Sequence, residues 1–278
     1  MEYSSSSDSS SSLEYSSLSV ISSSSSDPWD ITDAVVAQWK MNDNEASKVV
    51  IESIGGLDGT YEGAFDGNWK NTADISVSGV VENYNALDMK IFGSRTGGGV
   101  QGSYITIPSN DFYFTNGVTD EPFAISLWLN MRSSTYLTEI IIKTGTWKLT
   151  VEAGGSIKFE LDSSETSPPT TGSRTAITDS SPFTDLNSWH HVVINYNSVN
   201  YNGITIYFDG ELQTTINYEV PTYVKMQEVV GAIAISTNTT ARSLEGYIDN
   251  VIIISRELTT AEIAGLYNDG LGTEMLYG

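Results

Sequence analysis

From Gly246 to Ser255 the chain is a strand-prone stretch with one carboxylate, Asp249, near its start, and within a few residues it passes into a helical pattern, Leu258 to Tyr267. Thr259 and Glu262 have the three-residue spacing of a capping box, and Ile263, Leu266 and Tyr267 fall on one helical face. A lone amphipathic helix in a chain otherwise patterned as strands has to bury that face on a sheet. This segment is therefore expected to close a β-sandwich.

The upstream sequence agrees. Residues 34 to 41, 86 to 92 and 103 to 108 are strand candidates, and Phe123 to Asn130 alternates large and small residues at period two. A meander is expected over Ile140 to Lys143, Trp147 to Val151 and Ile157 to Leu161, and then a long Ser-, Thr- and Pro-rich loop from Asp162 to Leu186. Trp189 to Tyr196 leads to a hairpin arm, Gly203 to Leu212, with an Asp209-Gly210 turn, and Val229 to Ile235 is a further strand. The fold class is all-β, two antiparallel sheets with one short C-terminal helix and an extended N-terminal arm.

That arm is residues 1 to 33, read as a Ser-rich acidic arm or linker ahead of a sandwich over 34 to 278. Ser fills sixteen of the first twenty-six positions, and no Lys or Arg occurs before Lys40. Such a composition cannot offset its ordering entropy by burial. It is either a flexible linker or an anchor that orders against a protein partner. The net charge of −22 argues against nucleic acid and anionic membranes, which need a basic surface. The sequence contains no Cys, hence no disulfide framework, and no run of about 20 apolar residues for membrane insertion. The opening Met1 to Ser4 has neither a basic region nor an apolar run, so no ordinary secretion signal is expected.

Several strings, in order along the chain, resemble laminin-G-like domains of the concanavalin A-like lectin/glucanase superfamily. They are Ala86-Leu87-Asp88 leading to Tyr104-Ile105-Thr106-Ile107-Pro108, Ile125 to Trp128, Trp189-His190-His191-Val192, Tyr207-Phe208-Asp209-Gly210, Gly246 to Val251 and Leu258 to Ile263. The resemblance covers about 34 to 270 and implies a jelly roll of two curved sheets, commonly used to bind glycans or proteins. It also implies a structural calcium ion on Asp249, joined by oxygens from the early loops, here Asn42, Asp43, Asp58 and Gly59. A hard cation takes six to eight such oxygens. The alternative is that Asp249 only accepts backbone hydrogen bonds and Asp43 is solvated.

Catalysis has one candidate. Glu160-Leu161-Asp162-Ser163-Ser164-Glu165 has the E-x-D-x-x-E spacing by which a glycoside hydrolase branch of the superfamily places two carboxylates on one strand face. Polar Ser163 and Ser164 stand where those enzymes have apolar residues, so an enzyme is not expected. His190 and His191 are adjacent and must point to opposite faces. Asn238-Thr239-Thr240 fits a glycosylation acceptor whose use is not expected. For sugar binding, aromatic rings stack on pyranose faces and amides fix hydroxyls. Trp39, Trp128 and Trp189 lie within strand patterns and are read as core. Trp69, Trp147, Tyr113, Tyr136, Tyr201, Asn202 and Tyr223 fall in or near expected loops and are the ligand-binding candidates.

The function these readings favour is a non-enzymatic recognition or adhesion module, glycan-binding, on an extracellular surface, virion, appendage or filament. Its partners would be a glycan or cell-surface polysaccharide, and a protein for residues 1 to 33, with a homo-oligomer left open. The rivals are a structural decoration or assembly protein docked by its arm, and a polysaccharide hydrolase or lyase.

Overall fold

The structure, a computed structural model, describes residues 29–65, 68–89, 91–92, 101–108, 112–166, 169–237 and 241–278. Two antiparallel sheets face each other. One has eight strands, in the order Glu211–Leu212, Ile204–Phe208, His190–Tyr196, Phe123–Met131, Gly246–Ile254, Asn85–Met89 and Ser76–Ser78, with Val35–Trp39 also paired to Gly246–Ile254. The other has nine, in the order Thr215–Glu219, Pro169–Thr178, Ile157–Thr166, Trp147–Val151, Thr138–Lys143, Ile233–Ile235, Tyr104–Ile107, Gly59–Glu62 and Val49–Val50.

Period-two alternation decides what each strand turns inward. Along Ile157–Thr166, Ile157, Phe159 and Leu161 enter the core between the sheets while Lys158, Glu160 and Asp162 face out. Trp39, Tyr61, Phe123 and Trp147 fill the same core. Burying a large apolar side chain is worth about 1.5–3 kcal/mol, so the inter-sheet layer dominates stability.

A second apolar cluster lies on the outer side of the eight-stranded sheet. The helix Thr260–Tyr267 sets Ile263 and Leu266 over Ala124, Val193, Ile252 and Ile254, with Trp29, Ile31 and Leu258 beside them. Gly246–Ile254 is thus covered on both faces, which explains its near-continuous apolar run. Thr259 and Glu262 form the expected capping box, and Asn268, at φ 49° and ψ 52°, ends the helix in the left-handed region.

The structure departs from three sequence expectations. The expected loop over 162 to 186 is mostly a long hairpin, Ile157–Thr166 with Pro169–Thr178, because its Thr residues suit extended backbone. Residues 29 to 33, which composition assigned to the arm, belong to the sandwich: Trp29 and Ile31 pack under the helix, and the Ile31 amide donates to the Leu276 carbonyl at 2.9 Å. The strand expected over 229 to 235 is only Ile233–Ile235. A four-residue helix, Thr72–Ile75, adds to the expected one. Among the described residues no helix is long and apolar enough to cross a membrane.

Candidate functional site

The outer face of the nine-stranded sheet carries the chemistry. Five neighbouring strands and the turns beside them leave a depression of ≈ 440 Å³, lined among others by Tyr104, Ile142, Thr144, Lys148, Asp162 and Thr237. Tyr104 and Ile142 are half-buried and give it an apolar side, and the hydroxyls and charged groups give it a polar one. Lys148 reaches both Glu160 and, at 4.0 Å, the Asp162 carboxylate, while Lys158 holds Glu160 from the other side at 2.9 Å.

These contacts set the protonation states. Burial alone would raise the Glu160 carboxyl, but hydrogen bonds from Lys148 and Lys158 outweigh it and hold the group below the ordinary Glu value. Asp162 is raised, chiefly by burial. A carboxylate acting as a nucleophile needs a free oxygen, and both Glu160 oxygens are instead held by ammonium groups, Oε1 by Lys148 and Oε2 by Lys158. The Glu165 side chain lies outside the described residues.

At the far end of the other sheet, Asp249 is almost fully buried. Its Oδ2 accepts from the Val80 amide at 2.9 Å, its Oδ1 has no partner, and burial, reinforced by the charge of Glu274, raises its pKa to about 8. Glu274 is held by the Asn42 amide at 2.6 Å and by Lys40 at 3.6 Å. The other expected calcium ligands are engaged elsewhere. Asp43 Oδ1 accepts from the Ile51 amide at 3.0 Å, Asp58 Oδ1 accepts from the Glu52 amide at 2.9 Å, and Gly59 pairs with Val50 in a strand. Among the described residues no three carboxylates or imidazoles come together. Asn42 Oδ1 likewise accepts from the Asn85 amide at 2.9 Å, so of the expected ligands only Asp249 keeps an enclosed oxygen, Oδ1, without a donor, and Glu274 is the carboxylate whose charge it feels.

With this geometry in hand, the family can be stated. A family model, Laminin_G_3, described as the concanavalin A-like lectin/glucanases superfamily, matches residues 97–264. The chain belongs to that superfamily. Among curated protein sequences none matches it. Solved structures similar to it include the receptor-binding domain of botulinum neurotoxin C/D mosaic serotype, with TM-score 0.54, 19% identity, 85% of this chain and 51% of that chain covered. The binding domain of botulinum neurotoxin DC in complex with rat synaptotagmin II gives TM-score 0.56, 18% identity, and 86% and 52% coverage. A botulinum neurotoxin type C structure, whose cell entry is described as dependent on two ganglioside molecules, gives 0.55, 17%, and 86% and 52%. The chain spans about half the length of these structures, and at such identity the likeness is one of fold.

Within this superfamily fold the aromatic candidates do not form one site. Trp147 is a core residue: its ring is enclosed and its Nε1 donates to the Phe112 carbonyl at 2.8 Å, although its position in the strand borders the depression. Tyr223 is also buried, its hydroxyl donating to Asp120 at 2.6 Å and its ring under the Arg174 guanidinium at 4.4 Å. Both stand beside turn-like text, Gly145-Thr146 and Pro221-Thr222, although Trp147 also opens an expected strand. Tyr113 is half-buried, while Tyr136 is exposed in one connection and Tyr201 and Asn202 are exposed together in another, the 3-10 turn Tyr201–Gly203. The Trp69 side chain and Asn238 to Thr240 lie outside the described residues. The two histidines face opposite ways as expected: His190 bonds Asp209, and His191 bonds the Ser126 hydroxyl, each at 2.8 Å. Sequence reading missed Tyr104, Lys148 and Thr237. The usable signal was parity, since Tyr104 alternates with core residues Ile105 and Ile107.

Proposed function

We propose that the chain is a non-enzymatic recognition module that binds glycans on the outer face of its nine-stranded sheet. The observation that carries this reading is the depression itself, where the half-buried Tyr104 stands beside the hydroxyls of Thr144 and Thr237 and the Lys148–Asp162 pair. An aromatic face for a sugar ring beside paired donors and acceptors is the arrangement neutral polyols require. The clamped Glu160 supports binding over hydrolysis. In this reading the module works on an extracellular, virion or appendage surface, and residues 1 to 28 reach a protein partner from the Trp29 anchor. Immobilised-glycan screening tests it. Binding should fall at least ten-fold in Tyr104→Ala with folding intact, and retention across the screen of wild-type affinity by Tyr104→Ala and Lys148→Ala would refute it.

A structural calcium ion is proposed with it. Asp249 Oδ1 is an enclosed oxygen without a donor, and Glu274 stands close enough to raise its pKa further. A divalent cation would neutralise both carboxylates and tie the C-terminal segment to the last strand. Chelator treatment of calcium-loaded protein should lower Tm by several degrees, and Asp249→Asn should abolish that response. An unchanged Tm removes the ion from the account.

A further inference from the structure

The other side of the sandwich holds a second cluster that the depression does not explain. The C-terminal helix roofs the outer face of the eight-stranded sheet only part-way, down to Tyr267, whose ring stacks on Trp128 at 5.8 Å and on His191 at 6.1 Å. The next row along the strands is Trp189, Asn130, Tyr247 and Asp88. Asn130 is opposite Tyr247 and Tyr247 is opposite Asp88. Trp189 precedes His190, which pairs with Leu129, and this puts it at the flank of Asn130.

The rings of Trp189 and Tyr247 stand 6.1 Å apart, tilted by 40°, and both are half-buried. Neither belongs to either apolar core. The Arg132 guanidinium lies over the Tyr247 ring at 4.4 Å and donates to Asp88 at 2.8 Å. Beneath the row the Asn130 Oδ1 has no hydrogen-bond partner.

Each feature limits what could bind. Two partly open rings offer an apolar, π-faced platform suited to the C–H face of a sugar ring. Within the row Arg132 and Asp88 neutralise one another, which favours a neutral ligand over an ion. Its remaining guanidinium N–H donors and amide group suit hydroxyls. We infer that this row is a second binding site, for a neutral pyranose. It lies on the opposite outer face from the depression and does not depend on it, so occupation of both would make the domain bivalent.

The test is nitrogen-15 NMR of the tryptophan indole N–H signals during titration with methyl glycosides of glucose, galactose, mannose and N-acetylglucosamine. At least one should shift the Trp189 indole signal saturably in the millimolar range while the buried Trp39 and Trp147 signals stay still. Trp189→Ala should weaken binding at this site at least ten-fold. Arg132→Gln, which leaves both rings in place, should also weaken neutral glycosides and guards against misfolding of the Trp variant. If no glycoside moves the Trp189 signal, the second site is refuted. Amide shifts over 142–148 report the depression separately: movement there without Trp189 leaves the proposed function standing and sinks this inference.

Discussion

His190 has an oxygen facing each ring nitrogen, Asp209 Oδ2 at Nδ1 and the Asp185 carbonyl at Nε2, both at 2.8 Å. Only the doubly protonated ring can donate to both. Burial pulls its pKa down, but the hydrogen bonds and charges of Asp209 and Asp185 outweigh it and leave the pKa raised above 6.5. A raised folded value means this contribution is complete below about pH 6.5 and is lost as pH rises through the folded pKa. Urea midpoints should therefore decline between neutral and mildly alkaline pH, and His190→Gln should remove that part of the slope. A second prediction concerns Trp147: replacement by Ala should cost about 3–5 kcal/mol in urea unfolding, the range for a large enclosed aromatic. Here sequence reading failed for a definite reason. A turn-like neighbour says where the backbone bends and nothing about which way the next side chain points, whereas phase relative to known core residues does. By that rule Trp189 shares the face of His191 and Val193, away from the core to which its type assigned it.

At the scale of elements, the start and the buried face of the C-terminal helix were legible, because a capping box and an apolar face are local chemistry. Thr259→Ala should remove about 1 kcal/mol by losing the two hydroxyl bonds of the cap, from the Glu262 amide and to the Glu262 carboxylate. What the local text could not show is why position 265 is Gly. A Cβ there would lie 2.3 Å from the Trp29 ring, so Gly265→Ala should destabilise the protein, and Trp29→Ala should lessen that penalty. A double-mutant cycle by thermal melting measures the coupling. The edge strand Thr215–Glu219 was illegible for the opposite reason. It turns Ile216 and Tyr218 outward, at 59% and 46% exposure, because Asn217 is tied inward to the Tyr201 and Ile204 carbonyls and Glu219 to Arg174. Polar partners from distant loops fixed the register, and no periodicity records them.

For the molecule as a whole, the two-sheet sandwich followed from many weak strand signals, since alternation, turn residues and one helix allow few other packings. The proposed binding sites did not follow. The depression joins Lys148 and Asp162, from one hairpin, to Tyr104, from a strand three places further across the sheet and distant in sequence, and their meeting depends on strand order. Deleting residues 1–33 tests the revised boundary: losing Trp29 and Ile31 should lower Tm clearly, and a variant keeping both should melt above it. Those anchor residues also govern how the domain hangs. The Gly278 amide donates to the Trp29 carbonyl at 3.1 Å, and Asp30 bridges Tyr277, so residues 29–30 and 277–278 lie side by side at one pole. Tension applied across residues 29 and 278 would therefore load this short seam first, contact by contact, ahead of the strand pairs of either sheet.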